Sequence, residues 1–330
     1  MVFIPRQVSR PLGLLALVMA GLVQAQPVAP VQTQAPGYFR LAVGDYEVTA
    51  LFDGYNDLSP GLLRGVSEAT LRDALARHDL RGPGMRTHFN AFLVNTGTHL
   101  VLIDTGAGRC IGETAGSLVS NLKAAGYAPE QVDTVLLTHL HLDHVCGLVD
   151  EKGAAVFPNA TVQVEQDEAD YWLSPANKAK AAPAAREYFA IAQRSVAPYQ
   201  AQGHLRTFIP PANPLPEVEA RLEAGHTPGS TTYRVSSRGE SIVFIGDLVH
   251  VLAVQFEHPE AGIAFDVDGA HALAARRQVF TSLAADHSWV AAAHLPFPGL
   301  GHITQVGGRF NWAPALYGPY HPAAKVPLLK

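Results

Sequence analysis

Four side chains of the types that bind metal ions lie within six residues of this chain, directly after a short apolar segment. The segment Thr134–Leu137 predicts a buried strand, and Thr138-His139-Leu140-His141-Leu142-Asp143-His144 follows it. Imidazole and carboxylate are ligands that suit zinc and similar first-row ions. Alternate side chains of extended backbone point the same way, so His139 and His141 share one direction, while Asp143 and His144 could reach a second ion. The spacing predicts a metal site at the end of this strand.

Three further side chains of these types each follow another apolar segment. His226 comes after Val218–Leu222, Asp247 after Ser241–Ile245, and His294 after Trp289–Ala293. Taken alone, either histidine would suit a core or turn position, and Asp247 would suit a helix cap. Open α/β sheets gather their sites at the carboxyl ends of strands, so the four segments together predict a single site.

Strand and helix patterns alternate along most of the chain. Further strands are predicted at Tyr46–Phe52, Phe89–Val94, Leu100–Ile103 and Thr231–Val235, and helices at Glu113–Ala125 (ending at Gly126), within Gln166–Ala201, and at Ala270–Ala285. No low-complexity stretch divides the chain after residue 36. We therefore expect one α/β domain over residues 37–330, built from two similar halves.

The composition excludes one large class of proteins. The chain has 330 residues, of which 48% are hydrophobic and 16% charged, so it can bury a substantial core. Its formal net charge is −5, and lysine and arginine are scattered along it. Because nucleic-acid binders carry a clustered basic surface, we expect no nucleic-acid partner.

Residues 1–25 are typical of a signal peptide. Arg6 and Arg10 precede the apolar run Leu12–Val23, and Val23-Gln24-Ala25 offers small residues for cleavage. A spanning helix needs roughly 20 apolar residues, so a retained anchor is the less favoured alternative. We expect a periplasmic or secreted protein without membrane attachment after cleavage. Residues 26–36 are rich in proline and glutamine and predict an extended tether.

The chain has only two cysteines, Cys110 and Cys146. A chain of this length does not need a disulfide scaffold. A single bridge between them remains open, because bridging depends on a distance that the sequence does not give. We expect two free, partly buried thiols, with Cys146 serving as packing.

The order His-x-His-x-Asp-His, then His, Asp and His, resembles the metallo-β-lactamase superfamily of hydrolases over nearly the whole mature chain. Within it, the chain is similar to the methyl parathion hydrolase group of aryl-ester and lactone hydrolases. This similarity lies in Ala35–Tyr38, Asn121–Tyr127, Asp247–Val251, His294–Gly299 and Gly301-His302. The resemblance implies an αββα sandwich with metal ions at one edge of two sheets.

The resemblance also implies a ligand set for two divalent ions, with Zn²⁺ the expected metal. His139, His141 and His226 would hold the first ion, and Asp143, His144 and His294 the second. Asp247 would bridge the pair, so Asp247 and Asp143 are the predicted catalytic carboxylates. A shared hydroxide would attack a carbonyl carbon or a phosphorus. A carboxylate at 247 is similar to the lactonase, glyoxalase II and phosphotriesterase branches, and no Gly-x-Ser-x-Gly nucleophile motif is present.

Six other residues are predicted to shape the pocket or support the ligands. By the resemblance, Trp172, Tyr188 and Phe189 line the pocket entrance and His250 reaches the substrate edge, although each alone would suit a core or strand-end position. Asp104 and His302 are predicted to support ligands, with a turn aspartate and a surface histidine as alternatives.

Ile111 stands where the relatives carry phenylalanine. Loss of that ring would loosen the grip on a nitrophenyl leaving group. This residue therefore favours an aryl ester or a lactone over an organophosphate triester such as methyl parathion.

Three function hypotheses remain open at this point. The first is a binuclear ester, lactone or phosphotriester hydrolase, including an acyl-homoserine lactone hydrolase. The second is a mononuclear iron enzyme of the persulfide dioxygenase type on the same fold, and the third is an exported metal binder without activity. The resemblance implies a small-molecule substrate and a homodimer, and fold alone does not settle function.

Overall fold

The computed structural model of the chain describes residues 1–3, 28–318 and 320. The predicted signal peptide, apart from its first three residues, and the first two residues of the predicted tether lie outside the described residues. Residues 28–36 carry no helix or strand and are exposed. From Pro36 onward the chain forms one compact unit. Among the described residues, no helix has the length and apolar character needed to cross a bilayer.

The first half of the compact unit supplies a seven-stranded sheet. Its strands in chain order are β1 (Tyr38–Val43), β2 (Tyr46–Leu58), β3 (Leu63–Arg64), β4 (Met85–Asn95), β5 (Leu100–Ile103), β6 (Thr134–Leu136), β7 (Thr161–Glu165) and β8 (Leu205–Phe208). All except β3 form the sheet, in the order β1-β2-β4-β5-β6-β7-β8. From β5 to β8 the strands are parallel, and Ile103 lies beside Leu136. The carboxyl ends of β5 and β6 therefore meet at one edge of the sheet.

The second half supplies a second seven-stranded sheet. Its strands are β9 (Ala212–Leu215), β10 (Val218–Leu222), β11 (Thr231–Ser237), β12 (Glu240–Phe244), β13 (Gly262–Ile263), β14 (Trp289–Ala291), β15 (Leu300–Val306) and β16 (Arg309–Pro314). The order is β16-β15-β14-β12-β11-β10-β9, and β13 pairs with β3 in a small separate ribbon. Strands β12 and β14 are parallel, with Phe244 beside Ala291. Their carboxyl ends, like those of β5 and β6, lie together.

Eight α-helices lie within the described residues. They are α1 (Glu68–Arg77), α2 (Leu118–Ala124), α3 (Leu142–Val145), α4 (Gln166–Trp172), α5 (Pro175–Lys180), α6 (Arg186–Ala201), α7 (Leu252–Gln255) and α8 (Gly269–Asp286). The aromatic and alanine-rich segment between the halves forms α4, α5 and α6, as its composition predicted.

The apolar side chains pack in three layers, one between the two sheets and one on the outer face of each sheet, because the central strands are apolar on both faces. In β5, Val101 and Ile103 point toward the second sheet and pack in a cluster that includes Tyr233 and Phe244. Leu102 points the other way, into a cluster with residues of α2, α4 and α6. A third cluster lies between the second sheet and α8. The order of layers is helix, sheet, sheet, helix, so the predicted αββα sandwich of two similar halves is confirmed.

The predicted helix Glu113–Ala125 begins five residues later than expected, at Leu118. Gly112 and Gly116 both have positive φ, which favours a loop over a helix. The buried Asp53 carboxylate holds this loop by accepting hydrogen bonds from the backbone N–H groups of Ala107 and Leu118. Residues 113–117 therefore belong to a loop ahead of the helix. The helix ends as predicted, before Gly126, whose φ is +93°.

The expectation of two free thiols is wrong, because Cys110 and Cys146 form a disulfide. Their Cα atoms are 6.3 Å apart, within the usual bridging range. The loop after β5 folds back onto the end of α3, where the Thr105 N–H donates to the carbonyl oxygen of His144. This long-range contact brings the two sulfurs together, and the cysteine spacing alone could not reveal it.

Candidate metal centre

The seven predicted donor side chains lie together at the edge of the sandwich where the strands described above end. His139 and His141 follow β6, Asp143 and His144 lie on α3, His226 lies between β10 and β11, Asp247 follows β12, and His294 follows β14. Their ligand atoms form two groups, each within 4.8 Å of one another: His139, His141, His226 and Asp247, then Asp143, His144 and His294. Asp247 and His294 also form a third such group with His250. Six of the seven side chains are buried, and Asp143 is partly exposed. Each sheet contributes donors to this centre.

Asp247 joins the two groups because each of its carboxylate oxygens faces a different one. Its Oδ2 lies 3.5 Å from His139 Nε2 and 3.1 Å from His226 Nε2. Its Oδ1 lies 3.0 Å from His144 Nε2 and 2.9 Å from His294 Nε2. The second group also includes Asp143, whose Oδ2 lies 3.5 Å from His294 Nε2. Asp247 is therefore a residue through which the two groups of donors are in contact.

The donor atoms fit metal ions better than they fit one another. The Nε2 atoms of His139, His144 and His294 and the Oδ1 of Asp247 are buried and have no hydrogen-bond partner among the described residues. These four atoms lie close to one another without hydrogen-bond geometry. Metal ligands are arranged in this way when their lone pairs point toward a shared cation. Buried polar atoms are almost always satisfied, so this concentration of unpaired ones needs an explanation. The imidazole and carboxylate set suits Zn²⁺ and related ions.

A second partner fixes the orientation of four ligand rings. His144 Nδ1 lies 2.8 Å from Asp104 Oδ2, and His226 Nδ1 lies 2.8 Å from Asp266 Oδ1. His294 Nδ1 donates to the carbonyl oxygen of His88 at 2.9 Å, and His139 Nδ1 lies 3.1 Å from the Thr138 hydroxyl. Such partners fix which ring nitrogen is protonated and leave the other free for a metal ion. In each of these four rings, Nε2 is the nitrogen that faces the centre.

Asp104 adopts a strained conformation to reach its partners. Its φ is +59°, which is uncommon for a residue other than glycine. Its two carboxylate oxygens accept from the backbone N–H and the hydroxyl of Thr138, both at 2.8 Å, in addition to meeting His144. The structure thus places Asp104 beside the ligand set, in contact with His144.

Burial and charge set the protonation of the donors. Burial, followed by neighbouring imidazoles, holds the pKa of His139 and of His141 well below the usual value. Burial alone would raise the pKa of Asp247, but the surrounding histidines, His144 foremost, outweigh it and hold that pKa well below the usual range. At His226, burial alone would lower the pKa, but the Asp247 and Asp266 carboxylates outweigh it and raise that pKa to about 9. The centre therefore combines an ionised carboxylate with neutral His139 and His141 rings.

A cavity of about 500 Å³ opens onto the donor groups. Its walls are formed by Asn56, Leu58, Thr87, Phe89, Ile111, His141, Leu142, Asp143, Tyr171, Trp172, Ala181, Ala182, Ala185, Tyr188, Phe189, Asp247, His250, Ala264, Phe265, Asp266, Val267 and His294. All five residues predicted to shape the pocket are among them. The volume is that of a typical small-molecule site.

The aromatic residues sit at different depths in this pocket. Trp172 is buried and meets the His141 ring edge-on, with ring centroids 5.2 Å apart. Phe189 lies behind it at 4.6 Å, and Tyr188 is 37% exposed at the mouth. His250 Nε2 lies 3.1 Å from Asp247 Oδ2, and burial lowers the pKa of His250 to about 4 against the opposing charge of Asp247. A neutral His250 thus donates to the Asp247 carboxylate at the pocket wall.

His302 is the one predicted site residue that the structure does not bring to the centre. Its Nδ1 meets the carbonyl oxygen of Ser288, and its ring packs against Trp289 with centroids 4.0 Å apart. The residue lies on β15, on the far side of β14 from β12, and the described residues show no contact between it and a donor. The short spacing from His294 suggested proximity, but the intervening turn and strand direct His302 away.

Sequence reasoning missed two buried carboxylates next to the ligands. Asp266 pairs with His226, and Glu168 accepts hydrogen bonds from the backbone of Leu140 and Gly229. Burial raises the pKa of Glu168 to about 7, although the Leu140 N–H, the Thr227 hydroxyl and the Gly229 N–H oppose the shift. Neither residue belongs to a motif with the ligands, so only the three-dimensional arrangement reveals them.

The family model of the metallo-beta-lactamase superfamily matches residues 88–294, a range that contains all seven donors. The chain belongs to this superfamily, and it is a hydrolase of that class. No curated protein sequence matches it.

Solved structures agree with this assignment. A hydrolase called AbOPH, described as belonging to the beta lactamase superfamily, is 42% identical, with a TM-score of 0.84 over 87% of this chain and 100% of that one. AidC, a dizinc quorum-quenching lactonase solved with the product N-hexanoyl-L-homoserine, is 27% identical, with a TM-score of 0.78 over 86% of this chain and 99% of that one. A probable metal-dependent hydrolase from Staphylococcus aureus, 22% identical, shares the fold at a TM-score of 0.65 over 77% of this chain and 91% of that one.

Proposed function

We propose that the protein is a binuclear metal-dependent hydrolase of uncharged lactones and aryl esters. The observation that carries this proposal is the position of Asp247, with Oδ2 facing one group of histidines and Oδ1 facing the other. His139, His141 and His226 would hold the first ion, and Asp143, His144 and His294 the second. When bound, two ions of the Zn²⁺ type supply a nucleophile from water near neutral pH and polarise the substrate carbonyl.

The residues of the pocket would bind and orient the substrate. Trp172, Phe189 and Ile111 form an apolar wall that would take up the aryl or acyl group and exclude water from it. The reacting carbonyl would then point toward Asp143 and Asp247, at the floor of the cavity. Substrate binding of this kind lowers the barrier by fixing the reacting atoms in place.

The charges of the pocket favour neutral substrates. Its lining contains Asp143, Asp247 and Asp266 but neither lysine nor arginine. A substrate that carries a carboxylate remote from the scissile bond would find no cation there, and desolvating that carboxylate would be costly. Neutral lactones and aryl esters carry no such group.

The proposal is tested by kcat/KM of the metal-loaded protein on dihydrocoumarin and on methyl parathion, each with a chelator-treated control, together with elemental analysis. We expect two zinc-type ions per chain and a strong preference for the lactone, with phosphotriester cleavage as a minor activity. A single iron per chain with oxidation of a persulfide would overturn the proposal in favour of the dioxygenase alternative. Turnover that survives complete removal of metal would overturn it as well.

An acyl-homoserine lactone is the second candidate substrate. The similarity to AidC favours it, because that lactonase was solved with N-hexanoyl-L-homoserine as product. A six-carbon acyl chain is neutral and apolar, as the Trp172 and Phe189 wall requires. Comparison of N-hexanoyl-homoserine lactone with dihydrocoumarin at equal concentration separates the two candidates.

We also propose that the protein is exported, to the periplasm or beyond the cell. The disulfide supports this, because such bonds persist in oxidising compartments. Residues 1–25, with their charged and apolar segments, support it independently. The homodimer stays a prediction that sedimentation of the purified protein would check.

A further inference from the structure

Helix α4 begins beside two loops that carry metal ligands from opposite sheets. The loop after β6 carries His139 and His141, and the loop between β10 and β11 carries His226. Glu168 lies in the first turn of α4 and is fully buried. A buried carboxylate is costly unless its oxygens are satisfied, so its hydrogen-bond partners indicate what holds it there.

The two oxygens of Glu168 are divided between the two loops. Oε1 accepts from the backbone N–H of Leu140 at 2.8 Å, and Leu140 lies between His139 and His141. Oε2 accepts from the backbone N–H of Gly229 at 2.9 Å, three residues after His226. One side chain thus bonds to a ligand loop of the first sheet and to a ligand loop of the second.

Gly229 shows how closely the second loop approaches the helix. A Cβ atom at this position would collide with the side chain of Glu165 and with the backbone and Cβ of Glu168. The loop backbone therefore rests directly on the start of α4, where only glycine fits. Two observations, the shared carboxylate and the close approach, point to the same junction.

We propose that Glu168 is a positioning residue for the metal centre, setting the distance between the His139–His141 loop and the His226 loop. This inference rests on the proposed two-metal site but not on the identity of the substrate. Only a carboxylate of this length offers an acceptor to each loop. A glutamine would present an N–H₂ group to one of the two backbone N–H donors, and an aspartate would fall short by one methylene.

The test is a titration of the purified metal-free protein with Co²⁺ alone, followed by visible absorption, for wild type, Glu168→Gln and Glu165→Gln. Glu165 is the matched control, because it is also buried at the start of α4, where its Oε2 accepts from the helix N–H of Glu168 and its carboxylate is hydrogen-bonded to neither ligand loop. We expect wild type to bind two ions. In Glu168→Gln the affinity of one site should fall roughly 10–100-fold while the other changes less than about two-fold, since support groups of ligands have effects of this size. Glu165→Gln should retain both affinities.

Two results would overturn the role of Glu168 while leaving the proposed function intact. One is unchanged affinity of both sites in Glu168→Gln, and the other is an equal loss in Glu165→Gln. A wild-type protein that binds no Co²⁺ would overturn the proposed function together with this inference. If Glu168→Gln fails to fold, Glu168→Asp keeps both acceptors one methylene further from the loops. Its affinity at the site of His139, His141 and His226 must then fall, while Glu165→Gln retains the wild-type affinity, for the proposal to stand.

Discussion

The disulfide between Cys110 and Cys146 permits a prediction of stability whose size follows from the structure. The bridge joins residues 36 positions apart in sequence. In the chain-entropy treatment, a loop of about 15 residues gives roughly 3 kcal/mol and one of about 100 residues gives roughly 4.7 kcal/mol. A loop of this length falls between them, so the double variant C110A/C146A should lose about 4 kcal/mol of unfolding free energy.

In the folded protein, the loop after β5 should keep its conformation without the disulfide. The loss of unfolding free energy should therefore come from the greater freedom of the unfolded chain. Asp53 holds the same loop through the backbone N–H groups of Ala107 and Leu118, and Thr105 bonds to the backbone of His144. Removing the sulfurs therefore leaves the native connection in place while freeing the denatured chain. We expect near-native secondary structure in the variant, with a weakened resistance to denaturant.

The assay is urea unfolding followed by fluorescence and by circular dichroism, in chelator so that metal binding does not contribute. Three tryptophans report on the transition. Wild type under reducing conditions is the matched control, and it should unfold close to C110A/C146A. A loss smaller than about 1 kcal/mol in the double variant would refute the reasoning. It would mean that the loop is constrained in the unfolded chain by something other than the bridge.

Three further predictions concern the centre, the pocket and a buried acid. Asp266→Asn removes the charge that faces His226 Nδ1 and should weaken binding of one ion roughly 10–100-fold, measured by competition with a chelating dye; unchanged affinity would contradict it. Ile111→Phe should raise kcat/KM for methyl parathion relative to dihydrocoumarin, and an unchanged ratio would show that this position does not set the preference. Burial raises the pKa of Glu223 to about 7 against the opposing charge of Arg221, so ionisation destabilises the folded state as pH rises from about 5 to 8. Unfolding free energies at both pH values should show wild type losing about 1–2 kcal/mol more than Glu223→Gln over that range, after allowance for partial exposure, and parallel profiles would exclude the effect.

The features that could be predicted from the sequence are those that repeat at short range. Leu100–Ile103 is apolar at every position, and the structure buries it on both faces between two layers. His139 and His141 follow such a strand at a spacing set by extended backbone, and strand ends meet because neighbouring parallel strands share a direction. Each of the four ligand-bearing segments follows a predicted strand, so a single shared site could be predicted from strand ends. The family resemblance then assigned each residue to an ion.

The features that could not be predicted depend on contacts between distant residues. Glu168 and Asp266 resemble ordinary surface carboxylates in sequence, and their role follows only from the loops that the fold lays against them. The disulfide depends on a loop whose path is set by Asp53, more than fifty residues away from it. His302 shows the converse, because a position close to a ligand in sequence ended on β15, away from the ligands, where its Nδ1 meets the Ser288 carbonyl oxygen.

Because the donors are divided between the two sheets, a cut between the two halves of the chain would also divide the ligand set. A break between β8 and β9, where Ile209 is exposed, would leave His139, His141, Asp143 and His144 on one fragment and His226, Asp247 and His294 on the other. Neither fragment could assemble a complete set of ligands by itself. Reassembly of the two fragments into an active protein would then require divalent cations, and restored turnover would measure this complementation directly.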